Sequence, residues 1–243
     1  MNLAAVTMAY RDEGTIRGTL ACLAPVVKKH IVFINDKPFH GDYEPPDATE
    51  DICREFPNVE VVKGNWPEHI LRNIGLSLCK ECDWVLGFNA DEMMTQEDLS
   101  KLKLYLSQTA RDAVGFISKV YWKTTDYRFD PDPDFVNVCV VRPKSNARYF
   151  DTQCIDCPYD SLHYRQPPFI THHHLSYCAP KDILSKITHY NHADEFDGLA
   201  WYEKHFKNWK PGQPVYQPFG TKWEAVYDPL PQELVNLLGV AYV

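Results

Sequence analysis

Asp83-Trp84-Val85-Leu86-Gly87-Phe88-Asn89-Ala90-Asp91-Glu92 carries an apolar run, residues 84–88, straight into an amide and two adjacent carboxylates. A short apolar run of this kind reads as a buried strand. Ligands of open α/β sheets sit beyond the C-terminal strand ends, so acids at such a tip are placed to hold a divalent cation against phosphates. In isolation the same acids often merely cap the following helix. The surrounding sequence decides between these readings.

Toward the N-terminus, Leu3 to Met8 is an apolar run, Tyr10-Arg11-Asp12-Glu13-Gly14 is polar, and Thr15 to Val27 has helical character. Ile31 to Ile34 reads as a second buried strand, ending in Asn35-Asp36 and a turn-rich segment through Pro46. Asp47-Ala48-Thr49-Glu50 resembles a capped helix start, with Asp47 or Thr49 as the cap. Val59 to Val62 is a third strand. Trp66 to Lys80 places Ile70, Leu71, Ile74 and Leu78 at helical spacing, with Pro67 acceptable in the first turn. Strand four is Trp84 to Phe88, and Gln96 to Ser107 is a helix with Leu99, Leu102 and Leu106 inward. Three βα units with short connections predict a parallel sheet, helices on both faces and right-handed crossovers.

After residue 112 the pattern changes. Ala113 to Trp122 and Phe135 to Val141 read as longer strands, so a mixed sheet is expected. Residues 150–168 read as a loop over the mouth of the site, Ile170 to Ser176 as a strand, and Lys181 to Tyr190 and Glu195 to Trp209 as helices. Prolines at 211, 214, 218, 229 and 231 predict an extended tail. The expected organisation is one α/β domain: residues 1–112 form its nucleotide-binding half, and residues 113–243 form its acceptor half with a C-terminal extension.

The 243 residues are 44% hydrophobic and 13% aromatic, ample for a core. A net charge of -8 works against a broad phosphate-tracking surface of the nucleic-acid-binding kind. The N-terminus lacks signal-peptide character, and no apolar run approaches the ~20 residues of a spanning helix, so a cytoplasmic protein is expected. Cys79-x-x-Cys82 and Cys154-x-x-Cys157 lie much further apart than the ~15–20 residues that separate the pairs of a zinc ribbon. Buried thiols are the expectation.

Arg72-Asn73-x-Gly75 lies on the helix before strand four, where an arginine either forks onto phosphates or sits at the surface beside a small glycine contact. In His172-His173-His174, strand geometry puts residues 172 and 174 on one face and 173 on the other. His189 and His192 sit at a helix end, where histidine is favoured without any catalytic role, and Lys186 is a candidate phosphate partner. Trp201-Tyr202 and Trp209 read as core.

The ordered series Ala9-Tyr10-Arg11-Asp12-Glu13, Ile34-Asn35-Asp36, Arg72-Asn73-Ile74-Gly75-Leu76 and Asn89-Ala90-Asp91-Glu92 resembles the GT-A glycosyltransferases of family 2. Lys37-Pro38-Phe39, Gly64-Asn65-Trp66, His172 to Tyr177 and Lys186 to Ala193 are similar to a bacterial and phage-type subgroup. The resemblance implies a Rossmann-like, mainly parallel central sheet and sugar transfer from a nucleotide-diphosphate sugar, UDP-linked, to a hydroxyl. The acceptor would be a glycan, a lipid-linked sugar or a hydroxymethylated DNA base. It implies a donor-binding set of Ala9, Tyr10, Arg11, Glu13, Asp36, Arg72, Asn89, Ala90 and His192. Asp91 and His174 would hold the metal. Histidine ligation favours Mn2+ over Mg2+. Asn89 stands where the family usually has aspartate, which lowers the site's charge unless Glu92 compensates. Asp156, Asp151 and Asp160 are the candidates for the base of an inverting reaction, Asp156 first. Two rivals stand beside this reading. One is a sugar-phosphate nucleotidyltransferase, against which the single glycine of the first loop counts; the other is a nucleotide-sugar or carbohydrate-binding module without turnover.

Overall fold

The computed structural model describes residues 1–133, 136–151, 155–156, 162–163, 169–178, 180–190, 192–218 and 220–238. Leu3–Ala9 (β1), Lys29–Asn35 (β2), Val59–Gly64 (β3) and Trp84–Leu86 (β4) alternate with Ile16–Leu23 (α1), Thr49–Arg54 (α2) and Glu68–Leu78 (α3). β1 pairs in parallel with both β2 and β4, and β2 with β3, as the alternating pattern predicts. β1, β2 and β4 are buried almost throughout, which is why they read as continuous apolar runs.

The chain continues through Glu92–Met93 (β5), Gln96–Gln108 (α4), Ala113–Phe116 (β6), Ser118–Lys123 (β7), Tyr127–Asp130 (β8) and Asn137–Val141 (β9). Arg148–Tyr149 (β10), Ile155–Asp156 (β11), Leu162–His163 (β12), His172–Cys178 (β13) and Pro180–His189 (α5) follow. Gly198–Trp201 (α6), Val215–Tyr216 (β14), Lys222–Tyr227 (β15) and Gln232–Val235 (α7) complete the described elements. One sheet has seven strands in the order β12-β6-β9-β4-β1-β2-β3, and a second has six, β14-β15-β8-β7-β13-β5. β9 runs antiparallel to β4 and β6, so the sheet is mixed, as expected.

Two expectations are corrected. The single strand predicted over 113–122 is two strands in two sheets. A register shift at Val114/Gly115 turns the chain, and a Cβ on Gly115 would lie 2.4 Å from Val136 Cγ1. The helix predicted over 195–209 is broken: a 3-10 turn covers Ala193–Glu195, and α6 runs into a π-helical turn at Tyr202–Phe206. Asp197 causes the break by capping α6, its side chain accepting from Ala200 N–H at 2.9 Å. Trp201 and Trp209 join Trp122, Phe129 and Phe206 in an aromatic cluster, the core role expected of them.

Gly75 lets α3 approach β1 closely, because a Cβ there would lie 2.6 Å from Val6 Cγ1. Asn73 beside it pairs with β10 like a neighbouring strand: it donates to Tyr149 O at 2.8 Å and accepts from Tyr149 N–H at 3.0 Å. Cys79 and Cys82 are buried, as are Cys22, Cys53, Cys139 and Cys178; Cys154 and Cys157 lie outside the described residues. No helix among the described residues is long and apolar enough to cross a membrane.

Candidate functional site

A cavity of about 530 Å³ opens at the C-terminal ends of β1, β2 and β4. Open α/β sheets bind ligands at this position. Its lining joins the first loop (Ala9, Tyr10, Arg11, Asp12) to Asn89, Ala90 and Asp91 after β4, and to His174, Lys186, His189 and His192 from the second half of the chain.

Asp91 is the centre of the site. Its backbone C=O accepts from Leu175 N–H at 2.9 Å, which ties the turn after β4 to β13. Its Oδ1 lies 3.3 Å from His174 Nε2, while its Oδ2 accepts from Lys186 Nζ at 2.7 Å. Burial pushes the carboxyl pKa up, but the Lys186 charge and His174 outweigh it and hold Asp91 ionised, well below the usual carboxylate range. Lys186 also donates to Ser176 Oγ at 2.9 Å. A carboxylate oxygen and an imidazole nitrogen at this separation suit one cation at ~2.1–2.2 Å from each. The two residues expected to hold a metal therefore lie together and fit one.

Asn89 is clamped. Arg72 Nη2 donates to its Oδ1 at 2.6 Å, and its Nδ2 donates to Glu92 Oε1 at 3.3 Å. An aspartate here would face the Glu92 carboxylate, which is a physical reason for the amide. Glu92 is fully buried beneath the turn, accepts Asn89 N–H at 2.8 Å and does not line the cavity, so it does not compensate Asn89 as a ligand. Arg72 is 1% exposed and faces inward, donating to Glu68, to Gly87 O at 2.8 Å and to Asn89. Both the surface and the phosphate readings of Arg72 give way to a buried guanidinium whose fork orients Asn89.

Three further expectations shift. Asp36 is exposed, and its N–H donates to Gly64 O at 3.1 Å; the preceding Asn35 lines the cavity instead, with a buried Oδ1 that has no partner. Strand parity is the reason: the last residue of β2 turns inward and the next turns out. Glu13 lies outside this cavity and accepts from Ala48 N–H at 3.1 Å, fastening the first loop to the start of α2. Asp151 and Asp156 are exposed around the β10–β11 hairpin and are not among the described lining residues, so neither is placed as a base; Asp160 lies outside the described residues.

Arg11 lines the cavity in a left-handed conformation (φ 54°) and pairs with Glu44 at 2.9 Å. His192 lines it with Nδ1 2.6 Å from Glu195 Oε1. His189 is buried edge-on to Tyr10, 5.8 Å between ring centroids, and its C=O accepts from Phe39 N–H at 3.0 Å, bringing the Lys37-Pro38-Phe39 turn to the wall. Asp12, Asn35 and Ser176 are site residues not singled out from the sequence. Desolvation, then the Asp91 charge, pushes the Asp12 carboxyl up to about 8; Tyr10 N–H donates to it at 2.9 Å. The signal for Asp12 was its place inside the Ala9 to Glu13 loop. His173 packs opposite His174, 2.9 Å from Tyr121 Oη, the face alternation expected of a strand.

Crystal structures of S. aureus TarS are among the solved structures similar to this chain. For TarS 1-349 the identity is 14% and the TM-score 0.47, over 72% of this chain and 61% of that one. The chain thus spans less than two thirds of the length of that protein. For TarS 1-349 in complex with UDP-GlcNAc the identity is 20% and the TM-score 0.39, over 50% and 35% of the two chains. None of the curated proteins matches the sequence. The profile of glycosyl transferase family 2 matches residues 5–173, a span that runs from β1 through Asp91 into the triple histidine, and the chain belongs to that family.

Proposed function

We propose that this chain transfers a sugar from a nucleotide-diphosphate sugar, UDP-linked, to an acceptor hydroxyl, with Mn2+ (or Mg2+) held by Asp91 and His174. The observation that carries the reading is the meeting of Asp91 Oδ1 and His174 Nε2 at 3.3 Å on the cavity wall, at the strand ends where nucleotides bind. The cation would supply charge neutralisation for the departing diphosphate. Lys186 sits on the other oxygen of Asp91 and offers a second positive charge to the same phosphates. Tyr10 and Phe39 give the nucleoside apolar and aromatic surface, and the orphan Oδ1 of Asn35 calls for a hydrogen-bond donor, which uracil N3–H is. Residues 1–112 act as the donor half and residues 113–243 as the acceptor half with its extension. The acceptor is a glycan or lipid-linked sugar in preference to a modified DNA base, since the net charge of -8 opposes a duplex.

The test is release of nucleoside diphosphate from UDP-sugars with Mn2+, with Mg2+ and with chelator. Metal-dependent release that Asp91→Ala and His174→Ala both abolish is the expected result. Release of pyrophosphate from a nucleoside triphosphate would point to nucleotidyl transfer, and donor binding without turnover would point to a binding module; either result overturns the proposal.

A further inference from the structure

Beneath the Asp91–His174 pair, one step deeper along β5 and β13, lies a second group of ligand-type side chains. Glu92, Cys139 and His172 come from β5, β9 and β13, all three are buried, and their ligand atoms lie within 4.8 Å of one another. His172 has the same strand parity as His174 but is 0% exposed, held between the rings of Phe88 and Phe116 at centroid distances of 4.9 and 5.6 Å. Its Nε2 is buried with no hydrogen-bond partner. Glu92 Oε2 is 3.7 Å from that nitrogen, too far for a hydrogen bond. With Zn–N of ~2.0–2.1 Å and Zn–O of ~2.0–2.2 Å, the nitrogen–oxygen edge of a tetrahedral site measures about 3.3–3.5 Å, so a side-chain shift of a few tenths of an ångström brings both atoms onto one ion.

We infer that Glu92, Cys139 and His172 form a buried zinc site, separate from the catalytic cation and beneath it. The outer contacts are those a zinc ligand set needs. Ser118 Oγ lies 2.7 Å from His172 Nδ1, so a ring proton on Nδ1 donates there and leaves the Nε2 lone pair facing the cluster. Asn89 N–H fixes Glu92 through Oε2 at 2.8 Å. Thiolate, imidazole and carboxylate together select zinc over the hard cation that suits Asp91 and His174. Binding releases the Cys139 thiol proton to solvent and forms Zn–S, Zn–N and Zn–O bonds, with a water as fourth ligand; no oxidant is required. The zinc would pin the Asp91-Glu92 turn to β9 and β13 and so set the position of the upper site.

Metal analysis of the full chain purified without chelator tests this. About one zinc per chain is expected, retained in Asp91→Ala and lost in both Cys139→Ala and His172→Gln. Cobalt exchanged into the wild-type chain should give a thiolate-to-cobalt charge-transfer band that Asp91→Ala keeps. This arm needs no variant at the cluster, so it holds even where Cys139→Ala fails to fold. Wild-type chain with neither zinc nor a cobalt–thiolate band after reconstitution overturns the site, as does a band that folded Cys139→Ala retains. Because the readout is metal and spectrum, it is independent of whether the upper site transfers sugar.

Discussion

The two halves of the chain reach the cavity by different routes. From β1 to β4 each strand pairs with a neighbour in the same parallel sheet, and the loops after them arrive at one edge by repetition of a single unit. From β6 onward the strands are divided between two sheets, and the residues they deliver are remote: Lys186 meets Asp91 across 95 positions of sequence. The first half makes the floor of the cavity, and the second brings an imidazole and an ammonium to Asp91. Asp91 is the joint between them, which makes it the place where the comparison is most easily broken.

Asp91→Ala should lower kcat/KM by about 10³ or more, roughly 4 kcal/mol, and leave the fold intact by circular dichroism. An active variant would mean that the two halves do not share one site. Arg72→Lys should act on the first half alone. Loss of the buried fork to Glu68, Gly87 O and Asn89 costs about 3 kcal/mol in a denaturant titration. A stability loss below ~1 kcal/mol would show that the clamp on Asn89 is dispensable.

The pH response sharpens the same contrast, because His30 belongs to the floor. It is buried, with Nε2 2.9 Å from Thr7 Oγ1, and burial pushes it down to about 3. Above the ordinary value near 6.5 both folded and unfolded chains hold it neutral and it contributes no pH dependence. Between 6.5 and 3 only the unfolded chain takes up the proton, so stability falls as pH falls, by up to ~1.4 kcal/mol per unit and about 2 kcal/mol by pH 5. His30→Leu should flatten the acid limb of a melting-temperature profile by one proton; an unchanged limb would assign the slope to other groups.

Lys186→Ala should cost about tenfold in kcat/KM, near 1.4 kcal/mol, with little change in melting temperature, since the second half supplies charge to the site without holding up the floor. Asn89→Asp should have the smallest effect. Facing Glu92, the new carboxylate destabilises by about 1 kcal/mol, while Mn2+ titration should report tighter binding. Unaltered affinity would separate residue 89 from the cation.

The series from Ala9 to Glu92 was legible because local chemistry and global fold agree there. Apolar runs are buried on both faces, helical spacing alternates with them, and the acids fall at strand ends. Asp91 and His174 could be picked out as residues of one site because each closes or continues a readable strand and falls in an ordered motif. Asp36 misled for a reason of one residue: parity turns Asn35 inward, and composition does not reveal parity. The split of 113–122 between two sheets was equally hidden, since a bulge leaves a weak trace in an apolar run.

Sequence by itself determined the parallel α/β core, the family, the place of Asp91 at a strand end and of His174 on a strand, and the buried thiols of Cys79 and Cys82, because these follow from periodicity and from ordered local motifs. Tertiary structure alone decided that Arg72 faces inward, that Glu92 lies beneath the turn that holds Asp91 at the cavity, and that Cys139 meets Glu92 and His172. Adjacent residues on a strand point to opposite sides, and which side is cavity and which is core depends on strands that arrive from far along the chain.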